Sequence, residues 1–334
     1  MNKVIDPQSL GRRRFMKSVA AIAAVAACGQ SSKDPLFRIS LAQWSLHRRI
    51  FGSTWRETRK ALGKEGYLKK LRTAPDEVLN GTLDPLDFPV VTRQEFGIDA
   101  VEYVNQFYLG KARDTAYLGE LKNRADGEGV KSLLIMCDKE GDLGDPDPTA
   151  RAQAIENHHQ WVDAAAFLGC HSIRVNARSQ GAWAEQMKLA ADGLNRLATY
   201  ADSVGINVIV ENHGGLSSNG EWLVSVLRAG DHKRLGTLPD FGNFKISADE
   251  AYDNYQGIEE LMPLALGVSA KSHGFGVDGS ESNLDYRRLM KAVVDAGYRG
   301  YVGIEYEGAD LSEHDGIMAT KSLLERVRAE LSET

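Results

Sequence analysis

The sequence predicts a single (β/α)8 barrel of the TIM type, and three features of the chain support this prediction. Short apolar runs rich in Val, Ile and Leu recur along the chain, as expected for buried parallel strands. Amphipathic stretches with helical periodicity separate these runs, and glycines precede several of them, where a helix ends before the next strand. A chain of 334 residues, 43% hydrophobic and 26% charged, is long enough to form this barrel as one domain.

Eight runs are the candidate strands. In chain order they are residues 37–44, 98–104, 130–137, 172–176, 206–211, 235–240, 266–271 and 300–305. Helical periodicity is clearest in residues 147–168, 182–204 and 284–296. An open doubly wound sheet is the alternative fold, but no Gly-x-Gly-x-x-Gly motif follows the first strand.

The prediction includes an insertion after strand 1, because about forty residues separate that strand from the first predicted helix, near residues 87–96. The inserted stretch contains Trp55 and four lysines, Lys60, Lys64, Lys69 and Lys70. An insertion at this point lies at the C-terminal face of a barrel, where active sites are built. Two interpretations are open: a lid over the site, or a surface decoration.

The first 36 residues are predicted to be an export signal and a tether. Arg12 and Arg13 precede Phe-Met-Lys and a short apolar run, which resembles a twin-arginine signal. The run ends in Val-Ala-Ala-Cys28, which resembles a bacterial lipobox and makes Cys28 a candidate lipid anchor. Residues 1–27 are the signal, 28–36 the tether and 37–331 the barrel. The expected location is the periplasm, with Cys28 the sole membrane attachment; a cytosolic protein with a basic N-terminal helix is the alternative.

Composition excludes several classes of protein. The three cysteines include no Cys-x-x-Cys pair, so neither a disulfide scaffold nor a zinc cluster is expected. The net charge is −6, and since the first 27 residues hold five basic side chains and one acidic one, the remainder carries −10. A body of this charge is a poor ligand for a phosphate backbone, so no nucleic-acid partner is expected.

Carboxylates end three of the predicted strands. The fifth strand ends in Val-Ile-Val-Glu211, the sixth in Leu-Pro-Asp240 and the eighth in Gly-Ile-Glu305. A parallel barrel brings these ends to one mouth, where buried acids need a partner, and a divalent cation is the simplest common one. The seventh strand adds Lys271 and His273 at the same rim. Three oxygen ligands and one nitrogen suit Mn, Mg, Co or Zn.

The motifs around these residues are Glu-Asn-His-Gly-Gly, Leu-Pro-Asp-Phe-Gly-Asn-Phe, Ser-Ala-Lys-Ser and Gly-Ile-Glu-Tyr-Glu-Gly. Their order and spacing resemble the xylose-isomerase-like TIM barrels of the sugar phosphate isomerase/epimerase superfamily. This resemblance implies that Glu211, Asp240, Glu305 and a histidine of strand seven hold one divalent metal. Ser269 occupies the usual position of that histidine. Either His273 replaces it, or fewer protein ligands hold the metal, or no metal binds.

The resemblance also implies a reaction through an enediolate. Glu211 and Glu305 would be the acid/base pair, and Lys271 would stabilise the enolate oxygen. The expected function is a metal-dependent sugar isomerase or epimerase acting on a keto-sugar or aldose. A 3-keto-glycoside lyase or hydratase is the alternative, because the same enolate expels a neighbouring leaving group. A non-catalytic sugar-binding lipoprotein is the alternative from another class.

Polar and aromatic side chains near other strand ends are candidates for substrate binding. They are Trp44, Glu102, Asn105, Asp138, Arg174, Asn176, His213 and Asn243. Each of three of these residues has an equal alternative role. Trp44 would pack in the core, His213 would cap a loop, and Arg174 would point inward and balance the carboxylates. The pair His158 and His159 is expected on the solvated outer face of a helix.

Overall fold

The computed structural model describes residues 34–333 and contains eight parallel strands in one barrel. The strands are β1 Arg38–Ala42, β2 Ala100–Val104, β3 Lys131–Met136, β4 Ser172–Val175, β5 Asn207–Glu211, β6 Leu235–Leu238, β7 Val268–Ser272 and β8 Tyr301–Tyr306. Each strand lies at one of the predicted runs, which confirms the (β/α)8 prediction. The predicted export signal, Cys28 and most of the tether lie outside the described residues.

Helices alternate with the strands. They are α1 His47–Phe51, α2 Trp55–Thr73, α3 Phe88–Phe96, α4 Thr115–Gly127, α5 Pro148–Leu168, α6 Trp183–Asp202, α7 Gly220–Gly230, α8 Asn254–Leu261, α9 Tyr286–Asp295 and α10 Glu313–Ser332. The ends of α5 show how the sequence sets these bounds. The Asp147 side chain accepts a hydrogen bond from the Thr149 N–H, Pro148 takes the first helical position, and Gly169 ends the helix at a φ of 80°.

The strand pairing brings all eight C-terminal strand ends to one mouth. The hydrogen-bonded order is β6-β5-β4-β3-β2-β1-β8-β7, and every pair is parallel. Isolated bridges between Thr237 and Ala265 and between Asp240 and Ser269 close the barrel between β6 and β7. The second bridge places Asp240 directly beside Ser269, which positions both residues at the mouth.

The insertion after β1 is helical and consists mainly of α1 and α2. Gly63 interrupts α2 with a φ of 66°, a value that favours glycine. The segment after this kink is anchored to the barrel, since Tyr67 and Leu71 are buried and Arg72 donates a hydrogen bond to the carbonyl of Lys139, just past β3. The end of α2 is therefore fixed beside the β3 side of the mouth.

The expectation that His158 lies on a solvated helix face is wrong. His158 is 3% exposed, and its Nδ1 lies 2.7 Å from the carbonyl oxygen of Ala154. It shares the buried face of α5 with Ala154, Trp161 and Val162, at helical spacing. His159 is half-buried and stacks on Tyr200 at 3.7 Å. Within residues 34–333, no helix has both the length and the apolar character needed to cross a membrane.

Candidate active site

Three carboxylates meet at the C-terminal mouth of the barrel. Glu211 is the last residue of β5, Asp240 follows β6 by two residues, and Glu305 lies near the end of β8. One carboxylate oxygen from each lies within 4.8 Å of the others. Glu211 and Asp240 are fully buried and Glu305 is 4% exposed. The strand ends thus concentrate three acids in a site from which water is largely excluded.

Strand β7 supplies the cation and the hydroxyl that face these acids. Lys271 Nζ lies 2.8 Å from Glu305 Oε1, 3.0 Å from Glu307 Oε1 and 3.8 Å from Asp240 Oδ2. The Ser269 hydroxyl lies 2.6 Å from Asp240 Oδ2 and 3.0 Å from Glu305 Oε2, and hydrogen-bonds with both. Since Ser269 and Lys271 are two residues apart on one strand, they share its inner face.

Backbone and amide donors orient the remaining carboxylate oxygens. The N–H groups of Gly242 and Asn243 donate to Asp240 Oδ1 at 2.8 and 2.9 Å. Asn243 also donates its side-chain Nδ2–H to Glu211 Oε1 at 2.7 Å. Asn243 therefore orients Asp240 through its backbone and Glu211 through its side chain.

Arg174 on β4 connects this cluster to a second carboxylate. Its Nε lies 2.6 Å from Glu211 Oε2, an ion-pair contact without hydrogen-bond alignment. Its Nη1 donates to Asp138 Oδ1 at 3.0 Å, and Asn176 donates to the same oxygen at 2.9 Å. Of the two positions considered for Arg174, the structure shows the inward one, where the guanidinium balances carboxylates. Asp138 and Asn176 lie against each other on the same side of the mouth.

Glu102 lies deeper, in the barrel interior. It is 2% exposed and accepts a hydrogen bond from Ser40 at 2.6 Å, while its Oε2 has no hydrogen-bond partner. Gly303 on β8 leaves room for it, since a Cβ at that position would stand 2.5 Å from Glu102 Oε1. Glu102 thus adds a fourth buried carboxyl group below the mouth.

The interior holds more acid than base. Four buried carboxyl groups, Glu102, Glu211, Asp240 and Glu305, face two buried cations, Arg174 and Lys271. Burial, reinforced by the neighbouring acids, raises the pKa of Glu102, Glu211 and Asp240 to about 7 in each case. Burial also opposes ionisation of Glu305, but Lys271 outweighs it and lowers the pKa of that carboxyl. Lys271 itself stays charged, because the acids around it outweigh its own burial and raise its pKa.

This donor set fits a divalent cation that prefers oxygen ligands. The surplus of buried negative charge calls for a further positive charge, and Glu211 Oε2 is buried without a hydrogen-bond partner. A hydroxyl at position 269, in place of an imidazole, favours Mg or Mn over Zn. Glu211, Asp240 and Glu305 are the residues that would hold the ion.

The structure does not bring His273 into this group. His273 is exposed, and its backbone N–H donates to Glu281 Oε1 at 3.2 Å. The metal-type cluster found among residues 34–333 consists of the three carboxylates alone. The physical reason is position: His273 follows the last residue of β7, Ser272, where the chain has already left the inner face of the barrel.

His213 and Trp44 lie at the rim. His213 is half-buried, its Nδ1 lies 3.4 Å from Arg178 Nη2, and burial, together with the charge of Arg174, lowers its pKa. Trp44 is also half-buried and stacks on His47 and Phe107, with ring centroids 4.8 and 6.0 Å away. Both rings thus combine packing contacts with partial exposure.

Two cavities open on the Asp138 and His213 side of the site, and neither has Glu211, Asp240 or Glu305 in its lining. The first, called here the α2 cavity, measures about 230 Å³. Its lining includes Lys64, Leu68, Asp138, Lys139, Asn176 and Arg178. The second, about 320 Å³, lies against the loop after β5 and shares Asp142 and Arg178 with the first.

Sequence reasoning missed two side chains of this site. Ser269 was considered only as a missing histidine, and Glu307 was not considered. The signal was present in both cases, because Ser269 lies two residues before Lys271 on one face of β7, and Glu307 lies two residues after Glu305, just past the end of β8. The partnership of Asp138 with Arg174 had no sequence signal, since 36 residues separate them.

An eight-stranded parallel barrel with its polar centre at the C-terminal mouth defines an enzyme-type TIM barrel. The family model described as xylose isomerase-like TIM barrel matches residues 93–328, and the chain belongs to this family. The resemblance noted in the sequence is confirmed at this level.

Two curated relatives are similar to parts of the chain. The alpha subunit of a C-glycoside deglycosidase from Arthrobacter globiformis is 35% identical over 77 residues, 22% of either chain. The chain thus matches about a fifth of the length of that relative. A Streptomyces coelicolor protein described as a putative hydroxypyruvate isomerase is 28% identical over 233 residues, 64% of this chain and 82% of the other.

Solved structures share the fold at low sequence identity. The 3-keto-D-glucoside 4-epimerase of Escherichia coli is 17% identical, with a TM-score of 0.60 over 73% of this chain and 94% of the other. A magnesium complex of a xylose isomerase-like TIM barrel protein from Mycobacterium smegmatis is 15% identical, with a TM-score of 0.59 over 88% and 97%. At these identities the likeness establishes the fold alone.

Proposed function

We propose that this protein is a sugar isomerase or epimerase that acts through an enediolate on a keto-sugar or aldose. One observation carries the proposal: three buried carboxylates lie within 4.8 Å of one another at the mouth, with the Lys271 ammonium against them. The named relatives and fold neighbours include a sugar epimerase and a protein described as a putative hydroxypyruvate isomerase, which supports the same class of reaction.

Glu305 removes the proton from the carbon next to the sugar carbonyl. It is suited to act as the base because its contact with Lys271 keeps it ionised. The electron pair of the broken C–H bond moves onto the carbonyl oxygen, and Lys271 stabilises the negative charge that develops there. Glu211, protonated at the start, gives its proton to the opposite face of the same carbon, and the enolate collapses to the carbonyl of the epimer. Alternatively, the proton of the neighbouring hydroxyl passes to the former carbonyl oxygen and Glu211 protonates the former carbonyl carbon, which gives the isomer. Exchange with solvent then removes the proton from Glu305 and restores the one on Glu211.

The proposal includes one divalent metal, Mn, Mg, Co or Zn, held by Glu211, Asp240 and Glu305. When bound, such an ion acts as a Lewis acid that polarises the substrate carbonyl. Ser269 contributes by holding Asp240 and Glu305 at a fixed separation, through hydrogen bonds of 2.6 and 3.0 Å. Trp44, Asn176, His213 and Asn243 are proposed to contact the sugar. Arg174 and Glu102 lie in the barrel interior, where Arg174 holds Asp138 and Glu211 by ion pairs.

Proton exchange tests the proposed function. The wild-type protein, incubated in D2O with a panel of ketohexoses and 3-keto-glucosides, is expected to place deuterium next to the carbonyl of at least one of them. Glu305→Gln should slow this exchange at least about 100-fold, as expected on loss of a general base. Glu259→Gln is the matched control, since it changes the same residue type at an exposed position of α8 outside the site and should keep the rate. Equal rates in wild type and Glu305→Gln would remove Glu305 from the mechanism.

Elemental analysis tests the metal. About one Mg, Mn, Co or Zn ion per chain is expected in the wild type and should be lost in Glu211→Gln. Ser269→His restores the nitrogen ligand and should shift preference at least about tenfold toward Zn in competition binding with Mg. Wild-type protein that takes up no divalent ion after reconstitution would contradict the metal part of the proposal and favour chemistry carried by Lys271 alone.

A second candidate function is a 3-keto-glycoside lyase or hydratase on the same residues. The cavities on the Asp138 and His213 side of the site favour it, since they offer room for a leaving group attached to the sugar. The partial match to a C-glycoside deglycosidase subunit points the same way. In the exchange assay, release of the free aglycone would identify this reaction; binding without exchange or release would identify a non-catalytic sugar-binding protein.

We also propose that the chain is exported by the twin-arginine route to the periplasm, where lipid on Cys28 anchors it. The support is the sequence of the first 28 residues. Replacing Arg12 and Arg13 by lysine should leave the protein in the cytoplasm of a fractionated cell, and Cys28→Ser should release it from the membrane fraction. Unchanged fractionation of either variant would contradict the corresponding half of the proposal.

A further inference from the structure

The α2 cavity lies one side chain away from the proposed reaction centre. Asp138 in its wall accepts a hydrogen bond from Arg174 at 3.0 Å, and Arg174 Nε lies 2.6 Å from Glu211 Oε2. Arg174 therefore links Glu211 to the cavity wall, and a ligand at the carboxylates that carries a substituent toward β3 and β4 would direct it to this cavity. At about 230 Å³ the cavity is below the roughly 300–1,000 Å³ of most small-molecule sites, which suits one ring rather than a long chain.

The lining of the cavity mixes donors and acceptors of both signs. Lys64, Lys139 and Arg178 contribute N–H donors, and Asp138, Glu140 and Asp142 contribute carboxylates. The three cations are matched by three acids, so the lining has no surplus of positive charge with which to attract an anion. Alternating donors and acceptors match hydroxyl groups, which both donate and accept. Leu68 adds a small apolar surface, as a sugar ring with its C–H face requires.

Part of this lining is held in a strained conformation. Lys139 has a φ of 65°, one of two positive values among the non-glycine residues described. Such residues cluster at ligand sites, where surrounding contacts must hold them. Here Arg72 of α2 donates to the carbonyl of Lys139 at 3.4 Å, so the inserted helix helps to hold the turn.

From these observations we infer that the α2 cavity is a second carbohydrate subsite, and that the substrate is a glycoside whose second sugar ring lies between α2 and the ends of β3 and β4. The inference rests on the proposed function, because it places the reacting ring at Glu211 and Glu305. It also gives the insertion a role: α2 supplies one wall of the subsite through Lys64 and Leu68.

Binding of unoxidised sugars tests the subsite without depending on catalysis. NMR titration of the full-length protein would compare cellobiose with methyl β-glucoside, and maltose and trehalose with methyl α-glucoside. At least one disaccharide is expected to bind at least fivefold tighter than its one-ring counterpart. Two variants should each reduce this ratio of disaccharide to one-ring affinity at least threefold. Leu68→Trp fills the cavity, and Lys64→Ala removes a hydrogen-bond donor from an exposed position. Lys69→Ala, an exposed change on the same helix outside the cavity, should keep it.

Several outcomes would overturn the subsite. They are no advantage for any disaccharide in the wild type, an advantage that survives both cavity variants, and displacement of the disaccharide by millimolar inorganic phosphate, which would indicate an anion site. If Leu68→Trp fails to fold, Lys64→Ala alone decides. A disaccharide advantage without deuterium exchange into any keto-sugar would leave the subsite standing and contradict the proposed function, so the two failures are distinguishable.

Discussion

The two halves of the barrel mouth neutralise their carboxylates in different ways. The acidic half, formed by Glu211, Asp240, Lys271 and Glu305, packs three buried acids against one lysine and the Nε of Arg174. In the α2 half, formed by α2, Asp138 and Asn176, the one acid beside Arg174 accepts hydrogen bonds from Arg174, Asn176 and Gln106.

The pKa values follow this difference. Burial raises the pKa of Glu211 and Asp240 to about 7. Burial also opposes the ionisation of Asp138, but the charges of Arg174 and nearby basic groups outweigh it and hold the pKa of Asp138 below its usual range. The acidic half therefore has charge left to bind a cation or exchange protons. The α2 half is already neutralised, which suits an uncharged ligand.

Removing the guanidinium that serves both halves should have the largest effect. Arg174→Met leaves the buried Glu211 and the half-buried Asp138 without their cation, which should lower the free energy of unfolding by about 3–5 kcal/mol. Denaturant unfolding at pH 7 measures this change. Arg178→Met, an exposed arginine four residues along the chain, is the matched control and should change stability by less than about 0.5 kcal/mol. A loss below about 1 kcal/mol in Arg174→Met would mean that Glu211 simply takes up a proton.

The next effect concerns His158, which is one of the residues that line the α2 cavity. Burial lowers its pKa from the ordinary 6.5 to about 4, so the folded protein holds it neutral while the unfolded chain protonates it below pH 6.5. Its contribution to stability is complete above pH 6.5 and falls by about 3 kcal/mol as the pH drops to 4.

Comparison with His158→Gln isolates this contribution. The buried acids with raised pKa values act in the opposite direction over the same range, because the folded protein binds more protons there than the unfolded chain. The test is therefore the difference in unfolding free energy between wild type and His158→Gln at pH 7 and at pH 4.5. A difference that does not change with pH would show that His158 is not held neutral.

The fold was predictable from the sequence because its signals are local. All eight strands, and helices such as α5, follow from apolar runs, periodicity and turn residues that lie close together in the chain. The position of the three carboxylates could also be predicted from the sequence, since a residue at the C-terminal end of a strand in a parallel barrel lies at the mouth. Glu211, Asp240 and Glu305 satisfy this rule directly.

The rest of the site depends on contacts that no local pattern encodes. His273 satisfies the residue type of a ligand, but it lies past the end of β7 and outside the inner face. His158 looks polar in the sequence, yet one hydrogen bond to its own helix lets it be buried. The α2 cavity combines residues from the insertion and from two strand ends, so only the folded chain brings them together.

The smallest predicted effect lies in the barrel interior, where Glu102 extends the acidic half downward. Gly303→Ala places a methyl group 2.5 Å from Glu102 Oε1, the same oxygen that accepts the hydrogen bond from Ser40, so the change should cost about 1–3 kcal/mol of unfolding free energy. Gly119→Ala is the control: it lies in α4 with no atom within 4 Å of the new Cβ, and should stabilise by about 0.5–1 kcal/mol. The double variant Glu102→Ala/Gly303→Ala should be more stable than the sum of the two single changes predicts, since the methyl then enters vacated space. If the two changes in unfolding free energy simply add, the contact with Glu102 is not the reason that a side chain at position 303 is unfavourable.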